Sequence, residues 1–132
     1  MQINVTTDYA IRAVSYLAVK NSITPSSEVA SRMGIPKSYI LKITNKLQAA
    51  GIVERIVGAR GGFMLAKNPE KINLYEIIKI MEPTMKINRC LEEDEYCSRF
   101  ATDNCPIRKF YTRLQNELES KLQEITVKML IG

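Results

Sequence analysis

The chain has three cysteines, Cys90, Cys97 and Cys105, and all of them fall in the stretch RCLEEDEYCSRFATDNCPIR over residues 89–108. Their spacing is C-x6-C-x7-C. A thiolate is a soft ligand that suits iron–sulfur clusters, zinc and copper. Structural zinc sites commonly carry close C-x2–4-C pairs. The wider spacing here suits a loop wrapped around a larger object, such as a cluster. Asn104 and Pro106 beside Cys105 would help hold such a loop in shape. Zinc, a redox-switching disulfide and three plain reduced thiols stay open on the residues alone. A four-ligand site would also lack a member, because the chain has no histidine.

The elements that must position these thiols come next. With 132 residues and 45% hydrophobic content, the chain suits one compact domain, or a small domain with an appendage, and not a disordered one. No apolar run is long enough to cross a bilayer. The start, MQINVTTDYA, has neither a basic segment nor an apolar signal core. A cytoplasmic location without membrane contact is expected, where thiols stay reduced and serve metal or redox roles. The net charge is +5. Arg32, Lys37, Lys42, Lys46, Arg55, Arg60 and Lys67 lie together, with Glu54 the only acid among them. Glu92, Glu93, Asp94 and Glu95 follow the first cysteine. A basic module is thus separate from a partly acidic one, and clustered positive charge points to an acidic partner.

Periodicity gives the elements. TTDYAIRAVSYLAVK puts Tyr9, Ala10, Ala13, Val14, Leu17 and Ala18 on one helix face. Thr24 reads as a cap and Pro25 as the first turn of a short helix, SSEVASRM, ending at Gly34. Pro36 restarts a helix with Ile40, Ile43 and Leu47 inward, and Gly51 stops it. Helix, glycine turn, helix is the helix-turn-helix pattern. IVERIV and FMLA around GARGG predict a hairpin with a glycine-rich tip, which makes the unit a winged helix. Asn73 and Glu76 predict a capping box for LYEIIKIME, closed by Pro83. From Pro106 onward Ile107, Tyr111, Leu114, Leu118, Leu122, Ile125 and Met129 recur at steps of three and four. The expected fold is mostly α with a small β-hairpin wing. A winged helix-turn-helix domain covers 1–82, a cysteine-bearing loop 83–106 and a long dimerisation helix 107–132. The long seam either meets a second copy, giving a homodimer, or folds back on its own domain.

A second helix of this kind enters the major groove by its N-terminal end. Here that end is PKSYILK. Ser38 offers a hydrogen bond, Tyr39 a hydroxyl and a flat face, and Leu41 an apolar contact to a thymine methyl. Lys37, Lys42 and Lys46 suit phosphates. In the wing, Gly58, Gly61 and Gly62 let backbone approach DNA, and Arg60 suits a narrow minor groove. Each lysine alone would read as a solvated charge.

TTDYAIRAVSYLA, SSEVASRMGIPKSYILKITNKLQAAGIV, GARGGFMLA, INLYEIIKIME and the three cysteines before a long last helix together resemble the IscR/NsrR-type (BadM-type) winged-helix transcription regulators. The resemblance covers nearly the whole chain. It implies a dimer on a palindromic double-stranded operator, controlled by an iron–sulfur cluster, [4Fe–4S] or [2Fe–2S]. In the wing, many relatives carry an arginine just before the first glycine. Val57 stands there, so either the minor-groove role passes to Arg60 or the operator preference differs. Some relatives take their fourth ligand from a histidine after the third cysteine. The matching position is Arg108, which ligates no metal while protonated. Relatives of the nitric-oxide-sensing type use an aspartate early in the first helix of the other subunit, which corresponds to Asp8. The resemblance thus implies a site of Cys90, Cys97, Cys105 and Asp8. Without it, Asp8 is an acid favoured at a helix start.

The resemblance leaves two sensing modes beside nitric oxide, namely cluster supply and redox state. An enzyme is disfavoured, since no nucleophile elbow, phosphate loop or paired catalytic carboxylates are present. A metal-carrying or protein-docking adaptor is the third class.

Overall fold

The computed structural model describes all of residues 1–132. Helix α1 spans Val5–Lys20, with the Asn4 side chain accepting from the Thr6 N–H at its start. Its inward face is Ala10, Ala13, Val14, Leu17 and Ala18, all buried. Three of these five are alanines, so neighbouring backbones approach closely. Helix α2 (Ser26–Met33) and helix α3 (Lys37–Ala49) follow, joined through Gly34 in the left-handed conformation. Val29, Ala30, Ile40, Ile43 and Leu47 join the core formed with α1. Strands β1 (Val53–Ile56) and β2 (Gly62–Leu65) pair antiparallel, with Val53 opposite Leu65 and Ile56 opposite Gly62.

Helix α4 spans Leu74–Met81. The capping box read from the sequence is present. The Asn73 side chain accepts the Glu76 N–H at 2.9 Å, and the Glu76 carboxylate accepts the Asn73 N–H at 3.3 Å. Such a cap contributes about 1 kcal/mol. Ile77, Ile78 and Met81 turn inward. The fold is thus mostly α with a two-stranded wing, as the periodicity indicates.

Two expectations change. Thr24 does not cap α2; Pro25 holds that position. Thr24 is extended and exchanges backbone hydrogen bonds with Phe63, 2.8 Å each way, while its hydroxyl donates to the Ser22 carbonyl. It therefore acts as a one-residue third strand on the wing.

The second change concerns the expected single helix over 107–132. Helix α5 spans Pro106–Glu124 and helix α6 spans Val127–Ile131. Between them the chain is extended. The Ile125 carbonyl accepts the Leu74 N–H at 2.9 Å, and the Val127 N–H donates to the Ile72 carbonyl at 2.8 Å. These cross-links to the segment before α4 hold residues 125–126 out of helix. Val127 becomes fully buried and α6 packs on α1. The continuous seam ends at Leu122, and Ile107, Leu114 and Leu118 remain exposed along α5.

The wing is keyed to the Thr24 segment through glycine. A Cβ added at Gly62 would collide with the Thr24 carbonyl, and one at Gly61 with the Ile56 carbonyl. We expect Gly62→Ala to destabilise the protein by about 1–3 kcal/mol through overpacking. Thermal unfolding checks this, and the loss should appear with weakened exchange protection of the Thr24 and Phe63 amides.

Candidate cluster site and nucleic-acid interface

The cysteine loop is fastened to α5 before it reaches the first thiol. Gln115 is almost fully buried and bonds the loop with both ends of its amide. It donates to the Met85 carbonyl at 2.9 Å and accepts the Ile87 N–H at 2.8 Å. A 3₁₀ turn over Arg89–Leu91 then carries Cys90, and another over Thr102–Asn104 precedes Cys105, which caps α5.

All three half-buried thiols line one cavity of about 240 Å³, together with Arg89, Arg99 and Arg108. Each sulfur accepts from a nearby N–H: Cys90 from the Asn88 side-chain amide at 3.1 Å, Cys97 from Ala101 at 3.5 Å, Cys105 from Arg108 at 3.4 Å. The Cys97 thiol is held below the ordinary thiol range, first by the Ala101 N–H and then by the backbone N–H of Arg99. A hydrogen bond to the charged form favours it. No three thiols or carboxylates converge tightly enough to chelate a single metal ion.

The loop backbone is unusual. Glu95 and Phe100, on either side of Cys97, both sit in the left-handed region, at φ 50° and 55°. Side chains held by contacts offset that preference. Arg89 makes a two-pronged ion pair with Asp94 and lies over the Tyr96 ring at 5.4 Å. The Arg89 guanidinium pulls the Asp94 carboxyl down to about 2. Arg108 joins Cys90 to Glu95.

Asp8 does not line the cavity of its own chain. It lies in the first turn of α1, half-exposed, and pairs with Arg12 at 2.6 Å. Arg12 also donates to the Met33 carbonyl at 3.1 Å and lies 5.3 Å from the centre of the Tyr9 ring.

The basic face is carried by α3 and the wing. Lys37, Ser38, Leu41, Lys42 and Lys46 are exposed, while Ile40, Ile43, Thr44 and Leu47 on the other side are buried. Tyr39 differs from the sequence reading. Its ring is half-buried and packs against Tyr9 in a T-shaped contact at 5.5 Å, so part of the ring is engaged within the protein. Lys67 pairs with Glu76 at 2.9 Å, which removes it from the free charges. Arg60 and Val57 are exposed at the wing tip, and Gly58 turns the chain there at φ 127° with open space around it. Gly61 and Gly62, read from sequence as sites of DNA approach, also have an internal packing reason to be glycine.

The Rrf2 model, described as an iron-dependent transcriptional regulator, matches residues 3–132. The chain belongs to the Rrf2 family. A protein of Aquifex aeolicus (strain VF5), assigned as an HTH-type transcriptional regulator, is 32% identical over 128 residues, 96% of this chain and 89% of its own length. The HTH-type transcriptional regulator NsrR of Shouchella clausii is 34% identical over 96 residues, 71% of this chain and 64% of that protein. Among solved structures, T. potens IscR superposes with a TM-score of 0.80 at 21% identity, covering 99% of this chain and 86% of that one. CymR of B. subtilis, titled the global cysteine regulator, gives 0.80 at 23% identity, with 99% and 96% covered. This Rrf2 chain is a winged-helix transcription regulator and not an enzyme. No helix is long and apolar enough to cross a membrane.

Sequence reasoning passed over three Rrf2 residues at the site. Gln115 lies beside the apolar seam with nothing to mark it as buried. Arg12 looks like one more surface cation. Arg108 appears only as a residue that ligates no metal.

The Asp94 pairing has a pH signature. Its carboxyl is lowered in the folded chain, so the contribution of the pair is complete above the ordinary 3.8 and is lost as pH falls toward about 2. We expect the carboxyl carbon of Asp94 to titrate near 2 by NMR and to return to the ordinary range in Arg89→Met.

Proposed function

We propose that this protein is a homodimeric, DNA-binding regulator whose operator affinity is set by an iron–sulfur cluster held by Cys90, Cys97 and Cys105, with Asp8 of the partner subunit as fourth ligand. One observation carries the reading: three thiols spread along a long loop line a single cavity. Soft thiolate donors suit a cluster. The wide C-x6-C-x7-C spacing favours a larger group over a lone structural zinc ion, whose sites commonly carry close C-x2–4-C pairs. Asp8 is half-exposed and absent from its own chain's cavity, so a neighbour could reach it by displacing Arg12, its exposed ion-pair partner. A carboxylate is a weaker partner for such a cluster than a thiolate, so Asp8 would hold its iron less firmly and leave it open to a small molecule. The missing histidine and the position of Asp8 favour nitric oxide as that molecule, over cluster supply or general redox state.

The rest of the chain suits DNA. Ile107, Leu114 and Leu118 on α5 form an exposed apolar line that a second copy would cover. Two α3 helices would then face successive major grooves of a palindrome, about one DNA turn apart. Lys37, Lys42 and Lys46 bind phosphates, while Ser38 and Leu41 meet base edges. Arg60 takes the minor groove, with Gly58 allowing close approach.

A thiol-based regulator without a cluster is the second reading. The depressed Cys97 thiol favours it, because reactivity follows the thiolate.

Anaerobic purification with absorbance, iron and sulfide analysis separates the two. We expect a coloured protein with iron and sulfide, bleached by nitric oxide with a change in DNA affinity. Colourless protein carrying zinc overturns the cluster reading. Asp8→Ala should shift cluster stability or gas reactivity; an unchanged cluster leaves Asp8 as a helix-start acid.

For the interface, DNA selected from a random pool serves as probe. Binding should fall steeply with salt. Arg60→Ala should weaken it about tenfold, ~1.4 kcal/mol, without altering the dimer. Unchanged binding would remove the wing from the interface.

A further inference from the structure

We propose that Arg108 holds the three-thiol cavity in shape, so that the loop is ordered before anything occupies it. Its guanidinium is mostly covered, with 27% of the side chain exposed. Nε donates to the Cys90 carbonyl at 3.2 Å, and Nη2 donates to the Glu95 carboxylate at 3.2 Å. The backbone N–H of the same residue donates to the Cys105 sulfur at 3.4 Å. One residue thus touches the first cysteine, the third cysteine and the turn that leads into the second. A planar guanidinium with fixed donors suits two acceptors in different directions, whereas an ammonium is a point charge on a flexible stem.

Glu95 is the part of the loop that most needs holding. A non-glycine residue at φ 50° is disfavoured on its own. Three contacts keep it there. Its N–H donates to the Glu92 carbonyl at 2.9 Å, the Thr102 hydroxyl donates to its carbonyl at 2.9 Å, and Arg108 takes its carboxylate. Arg108 stands in the first turn of α5, a long helix already tied to the earlier part of the loop through Gln115. The loop is therefore anchored to one rigid element at two points, Gln115 before the thiols and Arg108 among them. Remove Arg108 and the Cys90 carbonyl and the Glu95 carboxylate both lose their link to the helix. Gln115 still holds Met85 and Ile87, so the loosening is confined to the thiol-bearing part.

The shaping is a property of the iron-free chain. Only its consequence, slower loss of iron from a preformed cavity, rests on the cluster reading above.

The experiment uses iron-free full-length protein as wild type, Arg108→Met, Glu95→Ala, the double variant and Arg108→Lys. Protease cleavage between residues 90 and 105 and alkylation of each thiol by iodoacetamide are followed by mass spectrometry. Arg108→Met, which loses both side-chain contacts, should speed both by about tenfold, and Glu95→Ala by no more than about fivefold, the upper end for one exposed ion pair. The double variant should be no faster than Arg108→Met, and Arg108→Lys should recover only part. The cooperative helical melt should stay near wild type. Equal rates in all five proteins overturn the proposal, as do additive effects in the double variant. Cleavage spread over the whole chain with a lowered melt overturns it too, since Arg108 would then serve the fold at large.

A second arm loads wild type and Arg108→Met with iron and sulfide anaerobically and times iron release to a chelator. Faster release from the variant supports the consequence for retention, and equal release from loaded proteins overturns it. If neither protein takes up iron, the cluster reading fails while the loop measurements still decide the role of Arg108.

Discussion

The inward face of α1 is the constraint on which the rest of the chain depends. Ala10, Ala13, Val14, Leu17 and Ala18 are buried there, and α2, α3, α4, α6 and β2 all pack against that helix. Small side chains at three of the five positions let several elements share one short helix. The same helix carries Asp8 and Arg12 on its more exposed side. Helix α1 is therefore the common floor of the DNA-facing pair and the bearer of the candidate fourth ligand. Its N-terminal end is fixed to the start of the cysteine loop, because the Glu82 carboxylate accepts from the Asn4 N–H at 2.7 Å and from the buried Thr7 hydroxyl at 2.9 Å.

The cysteine loop follows a different logic. It has almost no apolar core, since its exposed residues include Tyr96 and Phe100 and no residue from 83 to 106 is buried. Polar contacts do the ordering instead: Gln115 at the base, Arg89 with Asp94 on one side, Arg108 with Glu95 on the other. Exposed ion pairs are each weak, with a typical contribution of about 0–1 kcal/mol. A loop built this way is shaped but not rigid. That suits the proposed site, which would hold a cluster and also release it.

How far the sequence revealed the molecule follows from the range of each signal. The helices of the winged unit, the Asn73–Glu76 box and the hairpin were legible because caps, glycine turns and periodicity are local. Thr24 was misread because its partner, Phe63, lies far along the chain and two backbone hydrogen bonds outweigh its tendency to cap. The break after Glu124 was hidden for a similar reason. Ile125 and Met129 continue the apolar rhythm, yet pairing with Ile72 and Leu74 breaks the helix at the β-branched residues Ile125 and Thr126. Tyr39 looked like an outward residue until Tyr9 met its ring. The three cysteines were legible as a group through confinement to one loop. The residues that hold the loop were not, because neither Gln115 nor Arg108 carries a local mark of what it touches.

The break in the last helix also decides what α5 is free to do. Had one helix run to the end, its seam would have been a single surface available either to the domain or to a partner. With residues 125–131 folded back, Val127 completes the core under α1 and satisfies the domain's own need for burial. The exposed line of Ile107, Leu114 and Leu118 is then surplus to the fold of one chain. Cys105 caps this same helix, and Arg108 and Gln115 project from it to the loop. One rigid element therefore presents the apolar line to the outside and the thiol cavity at its head. A partner seated along α5 would be placed in fixed relation to that cavity without any further device.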